Sequence, residues 1–159
     1  MRVGWGIDAH SFGGPGPTLL GGVVVDEARG VEATSDGDVL AHAAADALLG
    51  AAALGDLGSL FPSDDPRWHG ADSMALLGEV VTRVGAAGHC VSSLDATVIA
   101  EQVRVAPHRE AIRCRLAGVL GVDAGAVSVK ATSTDGLGFL GRDEGLAAVV
   151  VAVLVERGA

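Results

Sequence analysis

The stretch SDGDVLAHAAADALLGAAALGDLG, residues 35–58, decides the fold prediction for this chain. It is dominated by Ala and Leu, which have high helix propensity, and it contains a helix-breaking glycine, Gly55, close to its C-terminal end. Ser35, Asp36 and Asp38 stand at its start, where a short polar side chain can accept hydrogen bonds from the first free backbone amides. The stretch therefore predicts a helix that begins near these residues and ends at Gly55.

Strand and helix patterns lie on both sides of this helix. The predicted strands cover residues 2–10, 90–101, 127–134 and 146–156, with a Gly/Pro turn at 12–17 and a short hairpin over 18–27 around Gly21-Gly22. Two further helices are predicted over 71–88 and 107–121, a polar proline-bearing loop over 60–70 and a glycine-rich turn over 135–145. Leu94, Ala96, Val98 and Ala100 alternate onto one face of their strand. Residues 146–156 are almost entirely apolar, which predicts a strand covered on both faces.

These elements predict an α+β fold, a single domain over residues 1–159 in which helices pack on one face of a mixed β-sheet. The apolar fraction is 49% although aromatic residues make up only 3%, so the core must consist of small aliphatic side chains. One small domain cannot easily hide so much apolar surface. We therefore expect a homo-oligomer with a buried subunit interface.

The charge distribution excludes several classes of partner. The formal net charge is −9 and Lys and Arg form no cluster, which argues against nucleic-acid binding.

The longest uncharged apolar run, 146–155, is far shorter than a membrane-spanning helix, and the amino terminus lacks the apolar core of a signal peptide. Cys90 and Cys114 show no metal-type spacing. Such sparse cysteines predict reduced thiols and a cytoplasmic location.

An acid and two imidazoles form the candidate metal site. Asp8 and His10 point to the same side of the first predicted strand, and His42 lies in the first turns of the Ala-rich helix. Asp38 and Asp46 share a helical face with His42, which predicts that they orient its ring. One carboxylate and two imidazoles with a fourth position open are typical of catalytic zinc. A surface hydrogen-bonded pair and an ordinary core histidine are the alternatives.

Hydroxyl groups cluster in KATSTDGLGF, residues 130–139. Thr132, Ser133 and Thr134 follow one another at the end of a predicted strand, beside Asp135 and a glycine-rich turn. Hydroxyls and exposed backbone amides at a strand end are good partners for phosphate oxygens. Ordinary turn capping is the alternative explanation.

Taken together, these segments resemble the 2-C-methyl-D-erythritol 2,4-cyclodiphosphate synthase family of the non-mevalonate isoprenoid pathway. The resemblance runs through GIDAH, the block 35–62, GADS, ATVIA, VKATST and LGF, and it covers essentially the whole chain. It implies a homotrimer with active sites at subunit interfaces. The implied substrate, 4-diphosphocytidyl-2-C-methyl-D-erythritol 2-phosphate, closes on itself when its 2-phosphate attacks its own β-phosphorus and releases CMP.

The resemblance also assigns roles to individual residues. It implies that Asp8, His10 and His42 hold Zn²⁺, and that Asp135 holds a second ion, Mg²⁺ or Mn²⁺, on the diphosphate. Catalytic positions are implied for Thr34, Thr132 and Ser133. Substrate-binding positions are implied for Ser35, Asp56, Leu57, Gly58, Phe61, Ser63, Asp64, Asp65, Ala100, Arg104, Val105, Ala106, Ala131, Thr134, Phe139 and Arg142. The last two match positions near the trimer axis, where the family has a cavity able to hold an isoprenoid diphosphate.

The chain departs from the family pattern at four places. Asp135 replaces a usual Glu, residues 103–104 replace a usual Pro-Lys with Val-Arg, Thr34 stands where His is frequent, and Ser133 replaces Thr. None of these changes touches the three zinc positions. Met1 lies close before Asp8, so we expect a monofunctional chain without the preceding cytidylyltransferase domain that occurs in some members.

Two other classes of function stay open from the sequence. A zinc-dependent phosphoester hydrolase would use the open metal position to activate water. A non-enzymatic trimeric binder of isoprenoid diphosphates would use Phe139, Arg142 and the apolar last strand.

Overall fold

The computed structural model describes residues 1–158 and has an α+β fold. Its strands are β1 (Arg2–Gly14), β2 (Thr18–Leu20), β3 (Val23–Asp26), β4 (Gly30–Val31), β5 (His89–Ile99), β6 (Val127–Thr132) and β7 (Gly145–Glu156). Its α-helices are α1 (Val39–Ala52), α2 (Leu57–Leu60), α3 (Ser73–Ala86), α4 (Arg109–Leu120) and α5 (Gly138–Gly141). None of the helices within 1–158 has both the length and the apolar character needed to cross a bilayer.

Five strands form a mixed sheet in the order β4-β1-β7-β5-β6, and β2 and β3 form a separate hairpin. Only the β5–β6 pair is parallel, while β1 and β5 both run antiparallel to β7. This register aligns Asp8, Ala148, Val98 and Ala131 in one row across four strands. The row connects β1, which carries the candidate metal ligands Asp8 and His10, with β6, which ends in the hydroxyl cluster.

Helix α1 lies directly on the sheet because β1 carries glycines where the two elements meet. A Cβ at Gly6 would lie 2.1 Å from the Ala43 carbonyl oxygen, and one at Gly4 would lie 1.8 Å from that of Ala47. Any side chain at these positions would force the helix outward. Asp38 caps the helix by accepting from the amides of Leu40 and Ala41, as its position in the sequence predicts.

The main helices cover one face of the sheet and leave the other face open in the single chain. Helix α1 packs on β1, β7 and β5, α3 packs on β5 and α4 packs on β6. On the opposite face, Val3 is 62%, Trp5 60% and Ile7 51% exposed. Val151 of β7 pairs with Trp5 and is 36% exposed, so the expectation that β7 is covered on both faces is wrong for the single chain.

Three local features differ from the sequence prediction. β1 continues to Gly14, into the turn predicted over 12–17, because Phe12 pairs with Val31 of β4, a strand that the sequence does not predict. The first helix ends at Ala52 rather than at Gly55, because Ala53 adopts a left-handed conformation that closes it. Short helices occupy 57–60 and 138–141, within segments expected to be helix end and turn.

Candidate active site

Two elements bring the candidate metal ligands together. Asp8 and His10 lie on the face of β1 that packs against α1, and His42 lies in the first turn of that helix. Because Gly4 and Gly6 allow close approach, the imidazole of His42 reaches the side chains of β1. Ligand atoms from all three residues lie within 4.8 Å of one another. The structure therefore confirms that the three predicted ligands form one cluster.

The three ligand atoms form a compact triangle. His42 Nδ1 lies 2.8 Å from Asp8 Oδ2, His10 Nε2 lies 3.1 Å from that oxygen, and the two nitrogens are 3.2 Å apart. Burial raises the pKa of Asp8, but hydrogen bonds to His10 and His42 outweigh it and hold the pKa well below its ordinary value. Asp8 is therefore a carboxylate at neutral pH.

This triangle fits a divalent ion such as zinc. Tetrahedral zinc with bonds of ~2.0–2.1 Å to nitrogen and oxygen places its ligand atoms about 3.3 Å apart. The observed separations of 2.8–3.2 Å are close to that spacing. Three protein ligands also leave a fourth position for a substrate oxygen, which is the pattern of catalytic sites.

Asp38 and Asp46, the carboxylates predicted to orient the His42 ring, bind backbone amides instead. Asp38 accepts from the Gly22 amide at 2.6 Å as well as from its own helix, and burial raises its pKa while backbone hydrogen bonds oppose that change. Asp46 accepts from the Leu57 amide at 2.7 Å, and burial raises its pKa. The outer nitrogen of His42 instead faces the hydroxyl of Ser73. The prediction that Asp38 and Asp46 orient His42 because they share its helical face is therefore wrong.

A cleft of about 150 Å³ opens beside the Asp8–His10–His42 cluster. The predicted residues that line it, besides His10 and His42, are Thr34, Ser35, Leu57, Gly58, Phe61 and Ser63. Ala33, Trp68 and Leu76 complete the wall, with Trp68 packed edge-on against Phe61 at a centroid distance of 4.9 Å. The cleft is thus mainly apolar, with hydroxyls near the metal ligands.

A second cleft of about 270 Å³ lies where β5 and β6 end. The predicted residues that line it are Ala100, Arg104, Val105, Ala106, Ala131, Thr132 and Ser133. Thr132 and Ser133 are exposed, and Arg104 and the neighbouring Arg109 supply positive charge. At this strand end the cleft combines two arginines and two hydroxyls with one carboxylate, Glu101. The arginines and hydroxyls suit a phosphorylated ligand.

Asp135 and Thr134 lie next to the second cleft in the turn after β6. Asp135 has a φ of 52° and accepts a 3.2 Å hydrogen bond from the Ser133 hydroxyl. Thr134 donates to the Leu137 carbonyl at 2.7 Å, so its hydroxyl is engaged in the turn. The Asp135 carboxylate is exposed and is not part of the Asp8–His10–His42 cluster in the single chain.

The remaining predicted residues lie outside both clefts. Asp56 accepts from the amide and hydroxyl of Ser59, which caps α2 and lowers the pKa of Asp56. Asp64 is exposed, and Asp65 pairs with Arg67 at 2.5 Å. Phe139 is 52% exposed, and Arg142 pairs with Glu144 at 2.7 Å.

The two clefts are separated on the single chain. Asp8 and Ala131 stand in the same row of the sheet, three strand spacings or about 14 Å apart. Ala148 and Val98 lie between them and are fully buried, so the described chain has no open groove along this row.

Sequence reasoning missed several residues of the site. Ser73 and Asp36 contact each other behind His42, and Trp68 and Leu76 line the first cleft. Nothing in the sequence around Trp68 and Leu76 indicates a role in the site, because both are simply apolar residues in or near a polar loop. Ser73 lies in the GADS segment, and the position of Asp36 before the first helix predicts a cap, so neither residue indicates a contact with His42.

Comparison with known proteins gives a consistent family match. Residues 1–155 match the model of the YgbB family. The 2-C-methyl-D-erythritol 2,4-cyclodiphosphate synthase of Cronobacter sakazakii is 51% identical over 159 residues, covering 100% of both chains. A solved 2C-methyl-D-erythritol-2,4-cyclodiphosphate synthase with CDP bound superposes with a TM-score of 0.88 at 32% identity, covering 97% of this chain and 100% of that one.

A longer relative has the same fold in one part. The bifunctional IspDF from Campylobacter jejuni superposes with a TM-score of 0.95 at 40% identity. The match covers 98% of this chain and 42% of that bifunctional chain. The fold described here therefore corresponds to one portion of the longer protein.

Proposed function

The chain belongs to the YgbB family, and from that membership we propose that it is a single-domain 2-C-methyl-D-erythritol 2,4-cyclodiphosphate synthase over residues 1–159. The substrate is 4-diphosphocytidyl-2-C-methyl-D-erythritol 2-phosphate. An oxygen of its 2-phosphate forms a bond to the β-phosphorus, the bond from that phosphorus to the α-phosphate oxygen breaks, and CMP leaves with the electron pair. The observation that carries this proposal is the Asp8–His10–His42 triangle in a full-length match to such synthases.

Both reacting groups belong to the substrate, so the protein acts by positioning and charge stabilisation. Asp8, His10 and His42 would hold a zinc ion, which the size of their triangle supports. Bound there, zinc supplies a Lewis acid that polarises a phosphate oxygen. Asp8 stays ionised because its pKa is held low, so it balances the charge of the ion at neutral pH.

The first cleft binds the methylerythritol part. Its apolar wall of Leu57, Phe61 and Trp68 excludes water from the reacting phosphates, while the Ser35 hydroxyl lies within reach of the metal ligands. Thr34 and Ser63 add polar atoms at the rim, and Asp64 and Asp65 follow Ser63 in the chain. Gly58 leaves room for the ribose, and the Asp56 carboxylate accepts hydrogen bonds from the ribose hydroxyls.

The second cleft binds the cytidine diphosphate part. Ala100, Val105, Ala106 and Ala131 provide the small surface on which the cytosine rests. The Thr132 hydroxyl, which donates to the Ser133 carbonyl in the single chain, and the Ser133 hydroxyl, which donates to Asp135, turn to donate to the diphosphate when it binds. Arg104 contributes positive charge in this otherwise acidic protein. Asp135 would hold Mg²⁺ or Mn²⁺ on the diphosphate, and a water molecule would make up for a side chain one methylene shorter than Glu.

The two clefts join only when subunits assemble. Their separation of about 14 Å across buried residues supports a homotrimer in which the second cleft of one subunit closes over the metal site of its neighbour. The exposed apolar face with Val3, Trp5 and Ile7 is the surface that the trimer covers. Phe139 and Arg142 are exposed as well, and the trimer places them around its axis.

The free thiols support a cytoplasmic location. Cys90 and Cys114 are both exposed and unbonded within the described residues. A reducing compartment maintains exposed thiols in that state.

The experiment is a comparison of CMP release by purified variants with substrate, zinc and magnesium. His42→Ala removes a metal ligand and reduces the rate of CMP release at least about 100-fold, since loss of even an outer partner typically costs 10–100-fold. His89→Ala is the matched control, because His89 begins β5 at the opposite end of the sheet. Equal rates in His42→Ala, His89→Ala and the parent contradict the proposal.

A further inference from the structure

The two ring nitrogens of His42 face different partners. Nδ1 lies 2.8 Å from Asp8 Oδ2, toward the proposed metal site. Nε2 lies 2.8 Å from the hydroxyl oxygen of Ser73, the first residue of α3. Ser73 is only 1% exposed, so this hydroxyl is withdrawn from water and must find its partners within the protein.

Asp36 determines which way the protons in this contact point. The Asp36 carboxylate contacts the Ser73 hydroxyl through Oδ1, and its Oδ2 accepts the Ser73 backbone amide at 3.1 Å. A carboxylate accepts hydrogen bonds and has none to donate, so the Ser73 hydroxyl donates its proton to Asp36. The lone pairs of that hydroxyl then accept from the imidazole. When a metal ion takes the place of the Nδ1 hydrogen bond to Asp8, His42 therefore keeps its proton on Nε2, and Nδ1 is the nitrogen that binds the ion.

Asp36 itself is held in place by the backbone. Its amide donates to the Ala71 carbonyl at 3.0 Å, and its Oδ1 accepts weakly from the Asp38 amide at 3.3 Å. These bonds connect the segment before α1 to the segment before α3. The Asp36–Ser73 pair thus has a fixed position relative to the helix that carries His42.

Ser35 makes a second contact with the same nitrogen, but it is a weaker candidate for this role. Its hydroxyl oxygen lies 3.1 Å from Nε2 and 3.4 Å from the Ser73 oxygen. Ser35 is half-buried in the first cleft, and its own further bond is a 3.3 Å contact from the Gly37 amide. No carboxylate fixes the direction of its proton among the contacts described.

We propose that Ser73 and Asp36 are positioning residues that hold the tautomer and the ring orientation of His42, and thereby set the affinity of the metal site. This inference rests on the proposed function, because it requires a metal ion at Asp8, His10 and His42. The physical reason is that a ligating imidazole binds more tightly when its other nitrogen donates to a fixed acceptor. A carboxylate behind that acceptor makes the acceptor more electron-rich.

The test is the zinc dissociation constant of the folded full-length protein, measured by competition with a chromophoric chelator. Ser73→Ala raises the constant about 10–100-fold, the range observed when such outer partners are removed. Asp36→Asn gives a smaller rise in the same direction, because the Ser73 hydroxyl keeps an oxygen acceptor but loses the charge behind it. Ser73→Thr keeps the hydroxyl and restores the affinity.

Thr82→Ala is the matched control. Thr82 lies on the same helix α3, but its hydroxyl donates to the Gly78 carbonyl and is exposed. This variant binds zinc with the affinity of the parent. A nitrogen-15 spectrum of the zinc-loaded parent shows a His42 Nε2 proton protected from exchange, and Ser73→Ala loses that protection.

The outcomes separate the inference from the proposed function. Parent protein that does not bind zinc contradicts the metal site, and with it the inference. Parent protein that binds zinc tightly, with Ser73→Ala and Asp36→Asn binding equally well, overturns the inference alone. A lowered melting temperature of metal-free Ser73→Ala without any change in zinc affinity also overturns it, because that result describes a merely structural hydroxyl.

Discussion

The close approach of α1 to β1 makes a quantitative prediction for Gly6→Ala. The new Cβ would lie 2.1 Å from the Ala43 carbonyl oxygen, and ordinary contact begins at 3.4 Å, so helix and strand must separate by about 1.3 Å at that point. Ala43 is the neighbour of His42 in the chain. The substitution therefore acts on the metal site as well as on the core.

Two measurements follow from this displacement. Metal–ligand distances tolerate only about ±0.2 Å, so a shift near 1.3 Å moves His42 Nδ1 out of the coordination distance from Asp8 and His10. We expect the zinc dissociation constant, from chelator competition, to rise at least ~100-fold. Overpacking of this kind costs about 1–3 kcal/mol, which lowers the melting temperature of a chain of this size by about 2–12 °C.

Gly50→Ala is the control for this experiment. Gly50 lies in the same helix, and a Cβ there would meet nothing within 4 Å. Because Ala has a higher helix propensity than Gly, this variant gains up to ~1 kcal/mol and binds zinc like the parent. A Gly6→Ala protein with the stability and zinc affinity of the parent refutes the reasoning that glycine contacts place His42.

Two further predictions concern assembly and pH. Trp5→Glu places a charge on the exposed apolar face, where burying the 60% of Trp5 that is exposed stabilises the interface by about 3 kcal/mol per subunit. We expect the solution mass of this variant to fall from that of a trimer to that of the 15.8 kDa chain, whereas the control Val24→Glu on β3 stays trimeric. A trimeric Trp5→Glu variant contradicts the interface. Burial raises the pKa of Asp38 above its unfolded value near ~3.9, so the native state binds more protons than the unfolded state between the two values. The melting temperature of the parent, relative to Asp38→Asn, therefore falls as pH rises through that window, and a constant difference contradicts the burial of a charged Asp38.

Sequence patterns predicted correctly the elements that depend on helix propensity, strand alternation or turn residues within a short segment. The Ala- and Leu-rich stretch gave α1 and its Asp38 cap, and alternation gave the buried face of β5. Gly21 and Gly22 marked the β2–β3 hairpin, since both adopt positive φ angles. In each case the deciding interactions lie within a few residues of one another.

Features that depend on distant partners were not predicted. The continuation of β1 to Gly14 requires pairing with β4, and the glycines there gave a turn signal that this pairing overrides. The partner of His42 came from α3, 31 residues away, rather than from the carboxylates one turn away on its own helix. The exposed face of β7 shows the same limit, because an apolar strand does not reveal whether its own chain covers it.

The most direct test of the account is the product formed by the purified protein from 4-diphosphocytidyl-2-C-methyl-D-erythritol 2-phosphate with zinc and magnesium, identified by phosphorus-31 NMR. The account predicts CMP together with the cyclic diphosphate, whose two phosphorus atoms are coupled within one ring. A linear hydrolysis product, or unchanged substrate in the presence of bound zinc, contradicts it.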